Sequence, residues 1–403
     1  MLEIKPIFNA LCRSKAGALM LLVQIAITLA IVSNAAFIIT DRLEYLNQET
    51  GYPEQDLFSF TIMTYGSDID KLQQIQNDEQ SLRELPGVIN AAHMSEVPLS
   101  GSGSGGNFMD GPSEDDHKSV RASYTFGDEN ALESLGLNVS EGRNFTQEDV
   151  VIQYDQIEDG VPTVGIVSRT FAQKMFEDEP ALGKTIYFGP FPLEIIGIVE
   201  KMKGPWLRDS ASDQYIIMPM NSELNFQKMV VRTEPGQREA IMGQVEELIL
   251  NNYNERVVTN LRGFDVAKQE YNASDTLMMR MLVVLVIILV LVTALGIFGL
   301  TVFNINKRTK QIGTRRALGA KKRDIVRYFV IENVLICTMG LILGAIGAIY
   351  LGQFLLQLYS LPALDNTYVF ATAIFVLVVS LTSVFFPATK AASISPSVAT
   401  RSV

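Results

Sequence analysis

Hydrophobic positions along this chain fall into two arrangements. Four long runs, at residues 17–39, 281–303, 328–358 and 367–387, are nearly free of charge. Each approaches or exceeds the ~20 residues a helix needs to cross the hydrocarbon core of a bilayer. Within lipid an open strand would leave backbone donors and acceptors unpaired, so all four runs are predicted to be helices. Ala35 and Ala36 are small enough for a cleavage site, but the first run far exceeds the ~7–15-residue apolar core of a signal peptide. It is expected to remain as a membrane helix.

The second arrangement lies between the first and second runs. Leu57 to Thr64 (LFSFTIMT) alternates with the period of a strand, Ile69 to Leu85 has helical period and stops at Pro86-Gly87, and Val88 to His93 reads as a second strand. The same order recurs in Phe226 to Thr233, Gln237 to Tyr253 after the Pro235-Gly236 turn, and Arg256 to Leu261. Two β-α-β units at 55–97 and 226–264 thus suggest one split α/β subdomain. Residues 98–225 are inserted between its halves and read as short strands (VGIVSRTF, KTIYFG, LEIIGIVEKM, QYIIMPM) with Gly/Pro turns. The charged segments Asp41 to Thr50 and Asp265 to Arg280 have helical character and are predicted to extend the first two membrane helices as stalks.

Charge sharpens this division. The 403 residues are 48% apolar yet carry a net charge of −11. From Asp41 to Met279 there are 40 acids and 18 bases, a net of −22, so the remainder carries +11. The loop at 304–327 holds Lys307, Arg308, Lys310, Arg315, Arg316, Lys321, Lys322, Arg323 and Arg327 against Asp324, whereas the loop after the third run offers Asp365 and no base. Basic loops stay cytosolic, which predicts cytosolic ends at 1–16 and 388–403 and an external domain at 40–280. The acidity of that domain is read as a solubility feature before a cation-binding one.

Candidate catalytic chemistry is sparse. Ser100 to Gly106 (SGSGSGG) is glycine-rich, but no GK[ST] follows it, so a mobile surface loop is expected, leading to an acidic patch at Glu114, Asp115 and Asp116. Gly183-Lys184-Thr185 is not a phosphate loop either, because Asp178 stands where the first glycine belongs. The two histidines, His93 and His117, lack partners at metal-ligand or triad spacing. Cys12 and Cys337 are placed in the cytosolic end and the third helix, where no disulfide is implied. No catalytic, metal or cofactor-binding residue is assigned.

The most informative stretch is Asn306 to Arg327, NKRTKQIGTRRALGAKKRDIVR. Ile312, Ala317, Leu318 and Ile325 can mark the apolar side of a short amphipathic helix surrounded by bases. Physics alone allows such a loop simply to hold anionic headgroups. The segment from Arg308 to Ile325, however, resembles the signature of FtsX-domain permeases of the MacB-type ABC transporter family. Pro387 to Arg401 (PATKAASISPSVATR) is similar to that family's C-terminal pattern, and Leu135 to Thr146, Val167 to Phe176, Leu182 to Ile186 and Ile195 to Glu200 are similar to its periplasmic core domain.

The resemblance implies a multi-pass inner-membrane protein with four transmembrane α-helices, one before and three after a large periplasmic α+β domain. That domain would comprise a porter-like α/β subdomain and an inserted β-rich one. It implies a non-catalytic permease subunit whose cytosolic coupling helix docks on an ATPase through Gln311, Ile312, Arg315, Arg316, Leu318, Gly319 and Ala320. No ATPase domain is fused within these residues, so ATP and Mg would be held by a separate subunit. A second permease copy or paralogue, a periplasmic adaptor, an outer-membrane channel and membrane lipids are the expected partners; nucleic acid is not. Export of a small amphiphile or peptide is the leading expectation. Lipoprotein release and signalling to a cell-wall hydrolase are the alternatives. Glu332, costly within a membrane helix, is expected to pair with a loop arginine. Gly340, Gly344 and Gly347 are expected to permit close helix packing, within one chain or across a dimer.

Overall fold

The computed structural model describes residues 15–65, 70–112, 117–153, 160–222, 226–359 and 363–393. Cys12, the bases before residue 15, the acidic patch at 114–116 and the tail beyond 393 lie outside these. The chain divides into two units, one formed by residues 1–47 with 274–403 and the other by residues 48–273.

Helix α1, Lys15–Leu46, opens the first unit and runs seven residues past its apolar stretch. The second unit begins with β1 (Leu57–Thr64), α2 (Lys71–Arg83) and β2 (Val88–Met94). Asp70 starts α2 because its carboxylate accepts the otherwise orphaned N–H of Gln73. Strands β3 (Ser104–Met109), β4 (Ser119–Gly127), β5 (Val139–Gly142), β6 (Val151–Gln153) and β7 (Val164–Ser168) follow. They lead to α3 (Arg169–Phe176), β8 (Thr185–Phe188), β9 (Phe191–Val199) and β10 (Tyr215–Ser222). The unit closes with β11 (Phe226–Thr233), α4 (Arg238–Asn252), β12 (Arg256–Gly263) and α5 (Phe264–Tyr271).

The two β-α-β units interleave. Strand β1 lies antiparallel between β12 and β11, and β11 pairs antiparallel with β2, giving the order β12-β1-β11-β2 of a split β-α-β motif. Alternation sends Phe58, Phe60 and Ile62 of β1 to one face, where they meet Leu82 of α2 and Ile241, Val245 and Ile249 of α4.

The insertion is a closed structure. Strand β4 pairs with β3, β3 with β8, β8 with β9, β9 with β7, β7 with β10, and β10 returns to β4 in parallel. Six strands therefore form a small barrel, and Phe171, Ala172 and Met175 of α3 join its core with Phe108, Ile186 and Ile216. The glycine tract expected to be a mobile loop is a strand from Ser104 onward. Gly106 explains the change: a Cβ there would stand 2.4 Å from the Phe188 ring, so the bare backbone is what lets that ring lie against the strand.

The first unit resumes with α6 (Ala273–Lys307), α7 (Thr309–Ala317), α8 (Lys322–Tyr359) and α9 (Asn366–Ala392). Helices α1, α6, α8 and α9 are long and apolar enough to cross a membrane. Arg42 and Asp275, 3.8 Å apart, join the polar extensions of α1 and α6.

Candidate functional site

The basic loop is built on a bend one residue long. Helix α6 ends at Lys307 and α7 starts at Thr309, leaving Arg308 at φ −108°, ψ 13° between them. Thr309 Oγ1 donates to the Asn306 carbonyl at 3.0 Å and to the Ile305 carbonyl at 3.1 Å, the latter also accepting from Arg308 N, so acceptors at the helix end are satisfied locally. The Arg308 side chain turns to α8, where Nη1 donates to the Tyr328 hydroxyl and to Glu332 Oε2, both at 3.0 Å. Tyr328 and Glu332 are four residues apart, which puts them on one face of α8. The guanidinium groups of Arg308 and Arg315 both lie over the Tyr328 ring, 5.8 and 5.2 Å from its centre. Glu332 thus pairs with a loop arginine. Its other oxygen, Oε1, has no hydrogen-bond partner among the described residues. Glu332 lines a cavity of about 20 Å³ with Thr301, Asn304 and Asn333, room for one water molecule.

The seven residues expected to dock divide into two groups. Ile312 is 5% exposed and packs with Ile325, Phe329, Ala388 and Ala391, so it anchors α7 to the bundle and is not available as a contact. Leu318 is 83% exposed, the largest value among the exposed large hydrophobic residues described. The single apolar side expected for Ile312 and Leu318 therefore does not form. Six residues on a helix correspond to a turn of about 240°, and the helix also ends at Leu318. Gly319, at φ +93°, makes the left-handed cap that terminates it, with Ala320 N donating to Arg315 O at 3.0 Å. Arg316 Nη1 closes the turn on Ala320 O at 2.9 Å. Gln311, Arg315, Leu318 and Gly319 remain exposed, with Arg316 and Ala320 half-buried.

The glycines of α8 face α1 of the same chain. A Cβ at Gly340 would stand 2.9 Å from Ile25 Cγ2, and one at Gly344 would stand 2.8 Å from the Ala26 carbonyl oxygen. At Gly347 the nearest atom, Ala30 Cβ, would be at an ordinary 3.6 Å. Gly340 and Gly344 set the close approach of α8 and α1, and Gly347 does not limit it. Asn34 Nδ2 reaches the Ala348 carbonyl at 3.0 Å, and Asn333 Nδ2 ties α8 to Ser380 of α9 at 2.6 Å.

In the second unit Glu79 and Asp128 come together at a polar cavity of about 330 Å³, beside Arg83, Glu129 and Asn221. Burial, reinforced by Asp128, pushes the Glu79 carboxyl well above the usual range. Burial likewise pushes Asp128 up to about 6, with Asn130 opposing the shift and Glu129 adding to it. The buried ring of His93 is pushed down to about 4 by desolvation, and His117 lies 3.2 Å from Asp110. Among the described residues no three His, Cys, Asp or Glu side chains are arranged to hold a metal ion.

Sequence reasoning missed Arg308 and Tyr328 as members of this site. The spacing of Tyr328 and Glu332 was a usable signal, since an aromatic hydroxyl and a carboxylate one turn apart offer one arginine two acceptors.

A family model described as MacB-like periplasmic core domain matches residues 20–248, and one described as FtsX-like permease C-terminal matches residues 283–396. The chain is 25% identical to the macrolide export ATP-binding/permease protein MacB of Campylobacter jejuni, over 65% of this chain and 41% of that protein. It is 28% identical to the protein of the same name from Hahella chejuensis, over 65% of this chain and 40% of that protein. The chain thus spans about two fifths of the length of these curated relatives. Among solved structures, the periplasmic region of MacB from Actinobacillus actinomycetemcomitans is similar at 16% identity and a TM-score of 0.33, over 55% of this chain and 94% of that one. The extracellular domain of the noncanonic ABC-type transporter YknZ from Gram-positive bacteria is similar at 18% identity and a TM-score of 0.31, over 50% of this chain and 100% of that one.

Proposed function

The chain belongs to the MacB-like periplasmic core domain family and carries an FtsX-like permease C-terminal region, and from that premise we propose that it is the permease subunit of an ABC transporter, driven at its basic loop by an ATPase partner. The loop and both chain ends face the cytosol of a bacterium whose inner membrane the four helices cross, and residues 40–280 face the periplasm. The chain itself performs no catalysis; ATP and Mg act on the partner. Closure of paired ATPase subunits displaces α7. That displacement reaches the outer unit through the two chain crossings near residues 47 and 273, and drives export of a small amphiphile or peptide. A second permease subunit completes the assembly, and a periplasmic adaptor and an outer-membrane duct receive the cargo.

The observation that carries this reading is Leu318: an apolar side chain 83% exposed, at the capped end of a basic helix held firmly at its other side by Ile312. An exposed apolar knob within a rim of bases is the form of an interface anchor, and it fits an apolar groove with an acidic rim. Leu318→Asp is expected to weaken capture of the ATPase by the full chain in lipid nanodiscs at least about tenfold, corresponding to about 1.4 kcal/mol. Membrane insertion and the amount of folded protein should not change. Wild-type capture by this variant would exclude the loop as the docking element.

A further inference from the structure

We infer that Arg308 is the positioning residue of the loop, pinning the bend between α6 and α7 to the third membrane helix through Tyr328 and Glu332. This rests on the docking role proposed for α7. The backbone link from α7 runs to α6, but α6 is poorly placed to receive force. Within this chain only 11% of its most apolar stretch is buried, against 39% for α1 and 28% for α8. Among the described residues its polar ties to α1 are the Thr28 and Thr293 hydroxyls, 2.7 Å apart, the Gln24 amide on the Val292 carbonyl, and the Arg42–Asp275 pair at the end of α6 farthest from the bend.

Helix α8 is the better receiver. It meets α1 through Gly340 and Gly344 and is tied to α9 through Asn333 and Ser380. A displacement of α7 that reached only α6 would be absorbed by rotation about the bend, because a single non-helical residue has soft dihedrals. Arg308 removes that freedom. It is itself the residue at the bend, and its side chain is held by a phenol oxygen and a carboxylate on one face of α8. Arg315, nearly two helical turns beyond Arg308, also rests over the Tyr328 ring, so the pin holds α7 at two points. A role limited to neutralising Glu332 would need neither Tyr328 nor Arg315.

The test is a distance measurement on the full chain in nanodiscs of phosphatidylethanolamine and phosphatidylglycerol, with no ATPase present. Cys12 and Cys337 are replaced by serine, and spin labels at Phe303 of α6 and Thr314 of α7, both exposed, straddle the bend. The parent is expected to give one narrow distance. Arg308→Ala and Glu332→Ala should each broaden the distribution at least twofold. Glu332→Gln should restore the narrow form, because its amide oxygen still accepts from Arg308, and Tyr328→Phe should give an intermediate width. An unchanged distribution in Arg308→Ala, or equal broadening in Glu332→Ala and Glu332→Gln, would overturn the proposal.

Should the alanine variants fail to fold, Tyr328→Phe and Glu332→Gln decide the matter alone. An unchanged width in Tyr328→Phe, or a broad one in Glu332→Gln, counts against the pin. The docking reading fails independently. Leu318→Asp is expected to weaken capture at least about tenfold with no change in the distance, whereas Glu332→Ala is expected to preserve capture while lowering permease-stimulated ATP hydrolysis at least fivefold.

Discussion

Each unit of the molecule joins a helix to a distant part of its chain with one arginine and one carboxylate, and the two pairs are finished differently. In the outer unit Arg256 and Asp78 are both fully buried. Asp78 accepts from two nitrogens of Arg256, from Asn252 at 3.1 Å and from Gln74 at 3.4 Å, while Arg256 also donates to the carbonyls of Tyr253 and Ile249. In the membrane unit Arg308 is 17% exposed and Glu332 keeps one oxygen without a partner among the described residues. A saturated buried network has one low-energy arrangement, because any other leaves a charge unpaired. A pair with a spare acceptor, a partly exposed arginine and a water-sized space can hold its bend and still accept a change of side chain with less loss. The first is built as a staple between the interleaved halves of the α/β subdomain, and the second as a pin at a bend, with room around it.

The staple can be broken at largest cost. Asp78→Ala leaves a buried guanidinium without its counter-charge and is expected to destabilise the outer unit by about 3–5 kcal/mol. Pulse proteolysis of the full chain across a urea series, with cleavage mapped to residues 48–273, measures it. The double variant Asp78→Leu with Arg256→Met should recover most of that loss, since two apolar side chains need no partners. A cost under about 1 kcal/mol for Asp78→Ala would show that water reaches the pair, and would erase the contrast with Arg308.

How much of this was legible in the sequence follows the range of the interactions. The strands Leu57–Thr64 and Phe226–Thr233 were readable to the residue, because period-two alternation and flanking turns are local signals. Helix α2 came within two residues of its expected bounds, its start displaced to the Asp70 cap. Closure of the barrel was not readable, because the parallel pairing of β4 with β10 joins segments about ninety residues apart. The glycine tract misled for the same reason: Phe188, which lies against Gly106, is remote in sequence. At the loop, pairing of Glu332 with a loop arginine followed from the cost of a buried acid. Which arginine it was, and the burial of Ile312, depended on how α7 lies on α8 and α9.

A second, smaller effect separates the acid balanced by Arg256 from two buried acids that share one arginine. Glu79 and Asp128 share their cavity with Arg83 but also with Glu129, and burial raises both above their ordinary values. A raised carboxyl keeps in the folded chain a proton that the unfolded chain has already released. Its contribution to stability is therefore full below the unfolded value of about 4 and lost as pH rises through the folded value, about 6 for Asp128. The variant Glu79→Gln with Asp128→Asn is expected to be more stable than the parent at pH 7 by about 1–3 kcal/mol, on the scale of 1.36 kcal/mol per pKa unit. That advantage should shrink steadily as the pH is lowered to 4. Urea unfolding of the outer unit at pH 4, 5, 6 and 7 gives the profile. An advantage equal at all four values would mean that the pair does not titrate in this range.

The smallest effect gives the most direct comparison of the two arginines. Arg256→Lys exchanges a planar fork, used on both Asp78 oxygens and two carbonyls, for a point charge that reaches only some of them, so a loss of about 2–3 kcal/mol is expected in the outer unit. At position 308 both side-chain hydrogen bonds come from one nitrogen, Nη1, and a lysine ammonium can occupy nearly the same place. Partial exposure lets the shorter head draw towards water without stranding a charge. Arg308→Lys is therefore expected to cost under about 1 kcal/mol. The buried thiol of Cys337 reports it, because alkylation there requires local opening of the helices around it. With Cys12 replaced by serine, the alkylation rate should rise less than about fivefold, the equivalent of about 1 kcal/mol. A much larger rise would mean that the fork at 308 is as fully committed as the one at 256, and that the membrane pair is a second staple.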